Sequence, residues 1–312
     1  MGQRSVIAVG GSTGAVEGLK TLCAGLPPDL AAAVLVVLHV GADGRNLLAG
    51  ILDGLCPLRV ETAADGQSVQ PGHVYVGPAG HHLLVVDGVV RLGRGPRENM
   101  ARPAIDPLFR SVAESYGPAA IGVLLSGRLN DGAAGLADLK RCGGVTVVEN
   151  PLDATVPDMP FGALQASEVD HRASLKNLPS LLATLVGEAP GPRVPVPRRI
   201  ALEIDIALGR PCLSGTISAM GEPVALACPD GFGPLSDIEA DPPPRPHCQV
   251  AVDEAIRVAL RIVEERAVLI ERMAEDARRM NRVKSAGDFD ARAGELRGYA
   301  DVLRGAALGA LP

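Results

Sequence analysis

Gly10, Gly11, Ser12, Thr13 and Gly14 stand between a compact apolar run, residues 6–9, and a stretch with Val16, Leu19, Leu22 and Leu26 at helical spacing. A serine in G-x-S-x-G at a strand-to-helix turn is the pattern of a nucleophile elbow. The glycines allow the sharp turn, and the turn presents the hydroxyl at the helix N-terminus. A plain N-cap is the competing use of Ser12, since serine is among the preferred capping residues. His39 directly follows a second apolar run, residues 34–38. Asp131 follows a third, residues 121–125, by a short loop at the start of a helical pattern. Alone, each has an ordinary structural use, as a rim histidine and as another N-cap. Together they are a nucleophile, a base and a carboxylate. A serine needs an imidazole to take its proton, and the imidazole needs an acid to fix its tautomer and stabilise its charged form. The chain order Ser, His, Asp differs from that of the α/β-hydrolases, chymotrypsin and subtilisin, which argues against those families but not against a triad.

The elements that would position these residues are legible as short apolar runs alternating with amphipathic stretches. Runs at residues 6–9, 34–38, 74–76, 121–125 and 145–148 read as strands, and residues 46–55, 105–116 and 132–142 read as helices. Residues 83–86 and 89–92 pair as a hairpin across Asp87-Gly88. Near-continuous apolar strands separated by helices predict an α/β fold: a doubly wound, mostly parallel sheet with helices on both faces. In such a sheet ligands bind outside the carboxyl ends of the strands, where Ser12, His39 and Asp131 all fall. The expected organisation is a catalytic domain over residues 1–189, a Pro-rich linker and irregular region over 190–249, and an α-helical hairpin over 250–312 with a solvated, charge-balanced face.

Composition excludes several other classes. The 312 residues are 47% hydrophobic and 21% charged, enough to bury a core, and the 2% aromatic content makes that core aliphatic. Thirty Lys and Arg stand against 36 Asp and Glu, a net charge of -6 without a basic cluster, so no nucleic-acid partner is expected. No apolar run approaches the ~20 residues that span a bilayer, and the N-terminus lacks a signal peptide pattern. Membrane insertion is therefore not expected. Six scattered cysteines read as reduced and mostly buried, which places the chain in the cytoplasm. The glycine turn lacks the lysine of a P-loop and the spacing of a dinucleotide fingerprint.

With these residues set out, the first domain resembles the catalytic domain of the chemotaxis protein-glutamate methylesterases, the CheB family. The similarity runs through Gly10 to Gly14, Leu38-His39, Asp65-Gly66, the string from Pro71 to Val76, Gly80-His81-His82-Leu83, the string from Arg102 to Ser111, the string from Leu125 to Leu136, and Met159-Pro160. It covers nearly all of residues 5–187 in order. The resemblance implies a triad of Ser12, His39 and Asp131. It also implies an oxyanion hole from the backbone N–H groups of Thr13 and Arg128, with no cofactor and no metal. Relatives often carry Met-Gly where this chain has Arg128-Leu129, and a glycine where it has Ala15. Many also carry an N-terminal receiver domain, which is expected to be absent here. Some stand-alone relatives append a paired-cysteine region; only Cys228-Pro-Asp-Gly231 and His247-Cys248 correspond to it. Zinc sites need closely paired ligands, so reduced structural cysteines are expected instead.

The function so implied is a cytoplasmic serine hydrolase that demethylates glutamyl methyl esters on methylated chemoreceptor-like proteins, with glutamine deamidation as a second reaction of the same groups. The C-terminal helices would serve contacts with other chemotaxis or two-component signalling proteins. One alternative keeps the fold and drops the chemistry: a catalytically weak or inactive signalling adaptor acting through those helices, suggested by Arg128 and the incomplete cysteine pattern. A small-molecule esterase is a third, and would turn over simple aryl esters as fast as any protein substrate.

Overall fold

The computed structural model describes residues 3–39 and 47–210, strand backbone at 222–227 and 234–237, and helical residues scattered between 271 and 298. The elements in chain order are β1 (Val6–Gly11), α1 (Ala15–Gly25), β2 (Ala33–Leu38), α2 (Leu48–Asp53), β3 (Arg59–Thr62), β4 (His73–Val76), β5 (His82–Val86) and β6 (Val89–Gly93). They continue with α3 (Ile105–Tyr116), β7 (Ala120–Leu124), α4 (Ala133–Arg141), β8 (Val145–Glu149), α5 (Asp158–Ala166), β9 (His171–Ala173), α6 (Leu178–Gly187) and α7 (Arg198–Leu208). Beyond them β10 (Glu222–Ala227) and β11 (Pro234–Asp237) form a separate two-stranded sheet.

Seven strands make one sheet in the order β3-β4-β2-β1-β7-β8-β9, with every neighbouring pair parallel. The central strands β1, β2 and β7 are buried along their whole length, which is why they read as unbroken apolar runs. Strand alternation divides their side chains between two cores. Val6 and Ala8 of β1 join Leu35 and Val37 of β2 beneath Leu108 and Phe109 of α3 and Leu136 of α4. Ile7 and Val9 join Val34 and Val36 beneath Leu19 and Leu22 of α1, Leu52 of α2 and Leu182 of α6. The expected α/β fold is the one observed.

β5 and β6 pair antiparallel outside the main sheet, and the expected Asp87-Gly88 turn joins them with φ of 50° and 75°. β1 is flanked by β2 on one side and β7 on the other, so the sheet changes winding direction there. The register sets Gly11 against Leu38 and Gly10 against Leu124, so the chain leaves these three strands side by side. A ligand crevice belongs at that switch point.

One expectation is corrected. The sequence from residue 200 to about 249 reads as irregular, yet Arg198–Leu208 is a helix, α7, that buries Ile200, Ile204 and Ala207 in the first core. By compactness the chain divides into one unit of Met1–Leu226 with Asp230–Pro244 and another of Ala227–Pro229 with Arg245–Pro312. In the second, Arg278 pairs with Asp290 and Arg297 with Glu271, a spacing that antiparallel helices make. The Pro-rich run at 242–244, Cys212, Cys228, Cys248 and most of the expected helical pair lie outside the described residues. Among the described residues no helix is long and apolar enough to cross a membrane.

Candidate active site

The turn after β1 holds Ser12 from both sides. Its N–H donates to the Ser126 carbonyl at 2.9 Å, and its own carbonyl accepts the Ala15 N–H at 3.0 Å. The residue that caps α1 is Gly14, at φ 86°, and no side chain bonds the open helix end. Ser12 is therefore not spent as an N-cap. Gly127 permits the loop after β7 to press under the turn: a Cβ there would sit 1.9 Å from Met159 Sδ and 2.9 Å from Ser12 Cβ. Gly127 and Met159 are themselves joined by the Met159 N–H to the Gly127 carbonyl at 3.0 Å.

His39 continues directly from β2, its N–H bonded to the Gly11 carbonyl at 3.2 Å. Its ring lies between the two expected partners, with Nδ1 3.1 Å from Ser12 Oγ and Nε2 2.6 Å from Asp131 Oδ2. A nitrogen facing a buried carboxylate carries the proton, so the neutral ring is the Nε2–H tautomer and Nδ1 is free to accept from the serine. The two nitrogens thus exchange the parts they play in the serine-protease triad. Burial pulls the His39 pKa down, but the hydrogen bond to Asp131 and the charges of Asp131 and Asp106 outweigh it and leave the pKa raised. Burial likewise pushes Asp131 up, and the bond and charge of His39 with the Ile105 N–H bring it below the usual carboxylate range.

Asp131 is only 1% exposed and is held from several directions. Oδ2 also accepts the Ile105 N–H at 2.8 Å, while Oδ1 accepts the Asp106 N–H at 3.2 Å, the Gly132 N–H at 2.9 Å and Asn99 Nδ2 at 2.7 Å. Ile105 and Asp106 open α3, so the carboxylate sits where a helix offers free N–H groups and positive potential. It does not cap its own helix: Gly132, at φ 88°, is the N-cap of α4. The sequence predicts a helix start at Ile105, and that start is the available signal for a carboxylate partner. Nothing comparable marked Asn99.

Two further buried groups brace the site. Glu149, at the end of β8, accepts the Ser126 N–H at 2.7 Å and its hydroxyl at 2.8 Å, and so steadies the carbonyl that receives the Ser12 N–H. His82 donates from Nε2 to the Pro96 carbonyl at 2.8 Å and accepts the Ala104 N–H at 3.2 Å, just ahead of α3. Burial depresses the pKa of His82, keeping it neutral. Thr13 and Arg128 are exposed, and among the described residues neither backbone N–H meets an acceptor. Among the described residues no cluster of His, Cys, Asp and Glu is arranged to hold a metal.

Residues 7–182 match the CheB methylesterase family. A provisionally named protein-glutamate methylesterase/protein-glutamine glutaminase of Leptospira interrogans is 36% identical over 180 residues, which are 57% of this chain and 93% of that protein. A protein-glutamate methylesterase/protein-glutamine glutaminase of Paraburkholderia xenovorans is 38% identical over 177 residues, 55% of this chain and 49% of its own. The crystal structure of the Thermotoga maritima CheB methylesterase catalytic domain is similar with a TM-score of 0.56 and 31% identity, covering 60% of this chain and all of that one.

Proposed function

The chain belongs to the CheB methylesterase family, and on that footing we propose that it hydrolyses glutamyl methyl esters on methylated chemoreceptor-like proteins with Ser12 as nucleophile. The observation that carries this reading is the unbroken relay from Ser12 Oγ through His39 to Asp131, with spacings of 3.1 Å and 2.6 Å. As Oγ attacks the ester carbonyl, its proton passes to His39 Nδ1. Asp131 holds the ring and balances the imidazolium that results. The oxyanion is received by the backbone N–H groups of Thr13 and Arg128, fixed donors that need no reorganisation at the moment of reaction. His39 returns the proton to the departing oxygen, and methanol leaves. Water then attacks the acyl-enzyme, His39 takes its proton, and Ser12 is released with a free glutamate. A glutaminyl amide enters the same sequence with ammonia as the leaving group.

In this proposal the substrate segments and the reaction lie in the cytoplasm. Residues 250–312 serve protein contacts in this proposal, since every residue of the relay comes from the first unit. Mass mapping of a methylated receptor fragment before and after incubation is the test. Loss of methyl groups at glutamyl positions, with simple aryl esters turned over far more slowly, supports the reading. Unchanged peptides beside rapid aryl-ester turnover would overturn it in favour of a small-molecule esterase.

A further inference from the structure

Asp131 has a buried acidic neighbour that the proposed reaction does not use. Asp106, in the first turn of α3, is also 1% exposed, and both carboxylates are bonded by one side chain. Asn99 Nδ2 donates to Asp131 Oδ1 at 2.7 Å and to Asp106 Oδ2 at 2.9 Å. Asp106 Oδ1 meanwhile accepts the Gly135 N–H of α4 at 2.6 Å. An amide NH2 group has two protons and no charge, so it can bond two carboxylates at once and offset the repulsion between them.

The backbone that delivers this amide is strained. Glu98 and Ala101 exchange hydrogen bonds of 3.2 Å and 2.9 Å, and the two residues between them, Asn99 and Met100, have φ of 50° and 62°. Both central residues of this tight turn thus lie in the left-handed region, which asparagine tolerates and methionine does not favour. The turn is anchored rather than adrift, because buried Arg110 of α3 bonds the Glu98 carboxylate through both of its terminal nitrogens. Glycine would satisfy the turn better than either residue present. What glycine cannot supply is the amide.

We propose that Asn99 is a positioning residue, whose side chain bridges Asp106 and Asp131 and so fixes the carboxylate that orients His39. The inference rests on the reading of Ser12, His39 and Asp131 as a hydrolytic relay, and its test has one arm that needs no substrate. In Asn99→Gly the turn is preserved or relaxed and the bridge is lost. The low-field proton resonance of His39 Nε2–H, bonded to Asp131, is expected to shift or broaden, with the folded state retained at a lowered thermal midpoint. In the ester assay kcat is expected to fall between roughly tenfold and a hundredfold with KM within about twofold, the scale of a misplaced supporting group.

Asn99→Asp keeps the size and the tolerance of positive φ but replaces the donor with a third carboxylate, and kcat is expected to fall at least as far. Met100→Gly relaxes the same turn without touching the amide and is expected to match wild type in both readouts. An unshifted resonance in Asn99→Gly with wild-type kcat would overturn the proposal, as would wild-type behaviour of Asn99→Asp. If the wild-type enzyme hydrolyses no ester, the reading of the reaction fails, and the resonance alone still decides the role of Asn99.

Discussion

At the scale of single residues, the proposed chemistry turns on two opposed effects at His39. Burial disfavours the charged ring, while the Asp131 carboxylate 2.6 Å away favours it and wins, so the pKa lies above the ordinary 6.5. A base must be neutral to work. Hydrolysis is therefore expected to rise with pH along an acid limb whose midpoint exceeds that ordinary value. In Asp131→Asn that midpoint should move down, with kcat reduced toward the ~10⁴-fold seen when a triad aspartate is so replaced. A pH–rate profile of the two enzymes checks both expectations, and an unmoved limb would remove Asp131 from the relay. The linked stability has a definite sign. The raised His39 pKa contributes stability that is full below the unfolded value and is lost as pH climbs through the folded one. The depressed Asp131 pKa contributes stability above its unfolded value, lost as pH falls through the folded one.

A second residue-scale expectation concerns the thiols. Cys56 is drawn down to about 7, chiefly by a hydrogen bond with Cys23, whereas burial lifts Cys142 to about 11. Among the described cysteines, iodoacetamide near neutral pH is expected to alkylate Cys56 before Cys23 and Cys142, as peptide mapping would report; equal labelling of Cys142 would contradict the assignment.

At the scale of elements, α7 is the piece that changes the picture of the catalytic unit. It lies beyond residues 7–182, which match the family. Ile200 and Ile204 are buried in the same core as α3, and burial of such side chains contributes about 1.5–3 kcal/mol each as an upper estimate. Arg110, 1% exposed, is ion-paired with Glu203 of α7 at 2.9 Å, and Arg199 reaches Asp138 of α4 at 2.6 Å. Burial opposes the charge on Arg110, but Glu203 and Glu98 more than compensate and hold it firmly protonated. A fragment of residues 1–189 loses both the apolar cover and a buried counter-charge. It is expected to melt several degrees below a fragment of residues 1–210, and equal midpoints by calorimetry would show α7 to be an ornament.

That helix also shows where sequence reading stops. The string Pro195-Val196-Pro197-Arg198-Arg199 has a linker's composition, yet Pro197 is the N-cap of α7 and Arg199 pairs with a buried acid instead of solvent. Composition cannot tell a solvated arginine from a paired one. The central strands were legible because both their faces are buried. β3 was not, since of its four residues only Val60 is buried. Ser12 and His39 were legible because each directly follows a strand, and Asp131 because a short loop carries it from a strand to just ahead of a helix. Asn99 was not, because its meaning is a bond to a residue 32 positions away across a two-residue turn.

At the scale of the whole molecule, a parallel sheet that changes winding direction at β1 gathers the ends of β1, β2 and β7 on one edge, and the relay is assembled from those three exits. Membership of the CheB methylesterase family and the arrangement of Ser12, His39 and Asp131 both support the proposed reaction. Loss of the Ser12 hydroxyl should leave the fold alone, because Gly14 rather than Ser12 caps α1. The most direct test is methanol release from a methylated receptor cytoplasmic fragment, comparing wild type with Ser12→Ala at matched folded concentration. Steady release by the wild type that vanishes in Ser12→Ala is the expected result. Release that persists undiminished in the mutant would contradict Ser12 as the nucleophile.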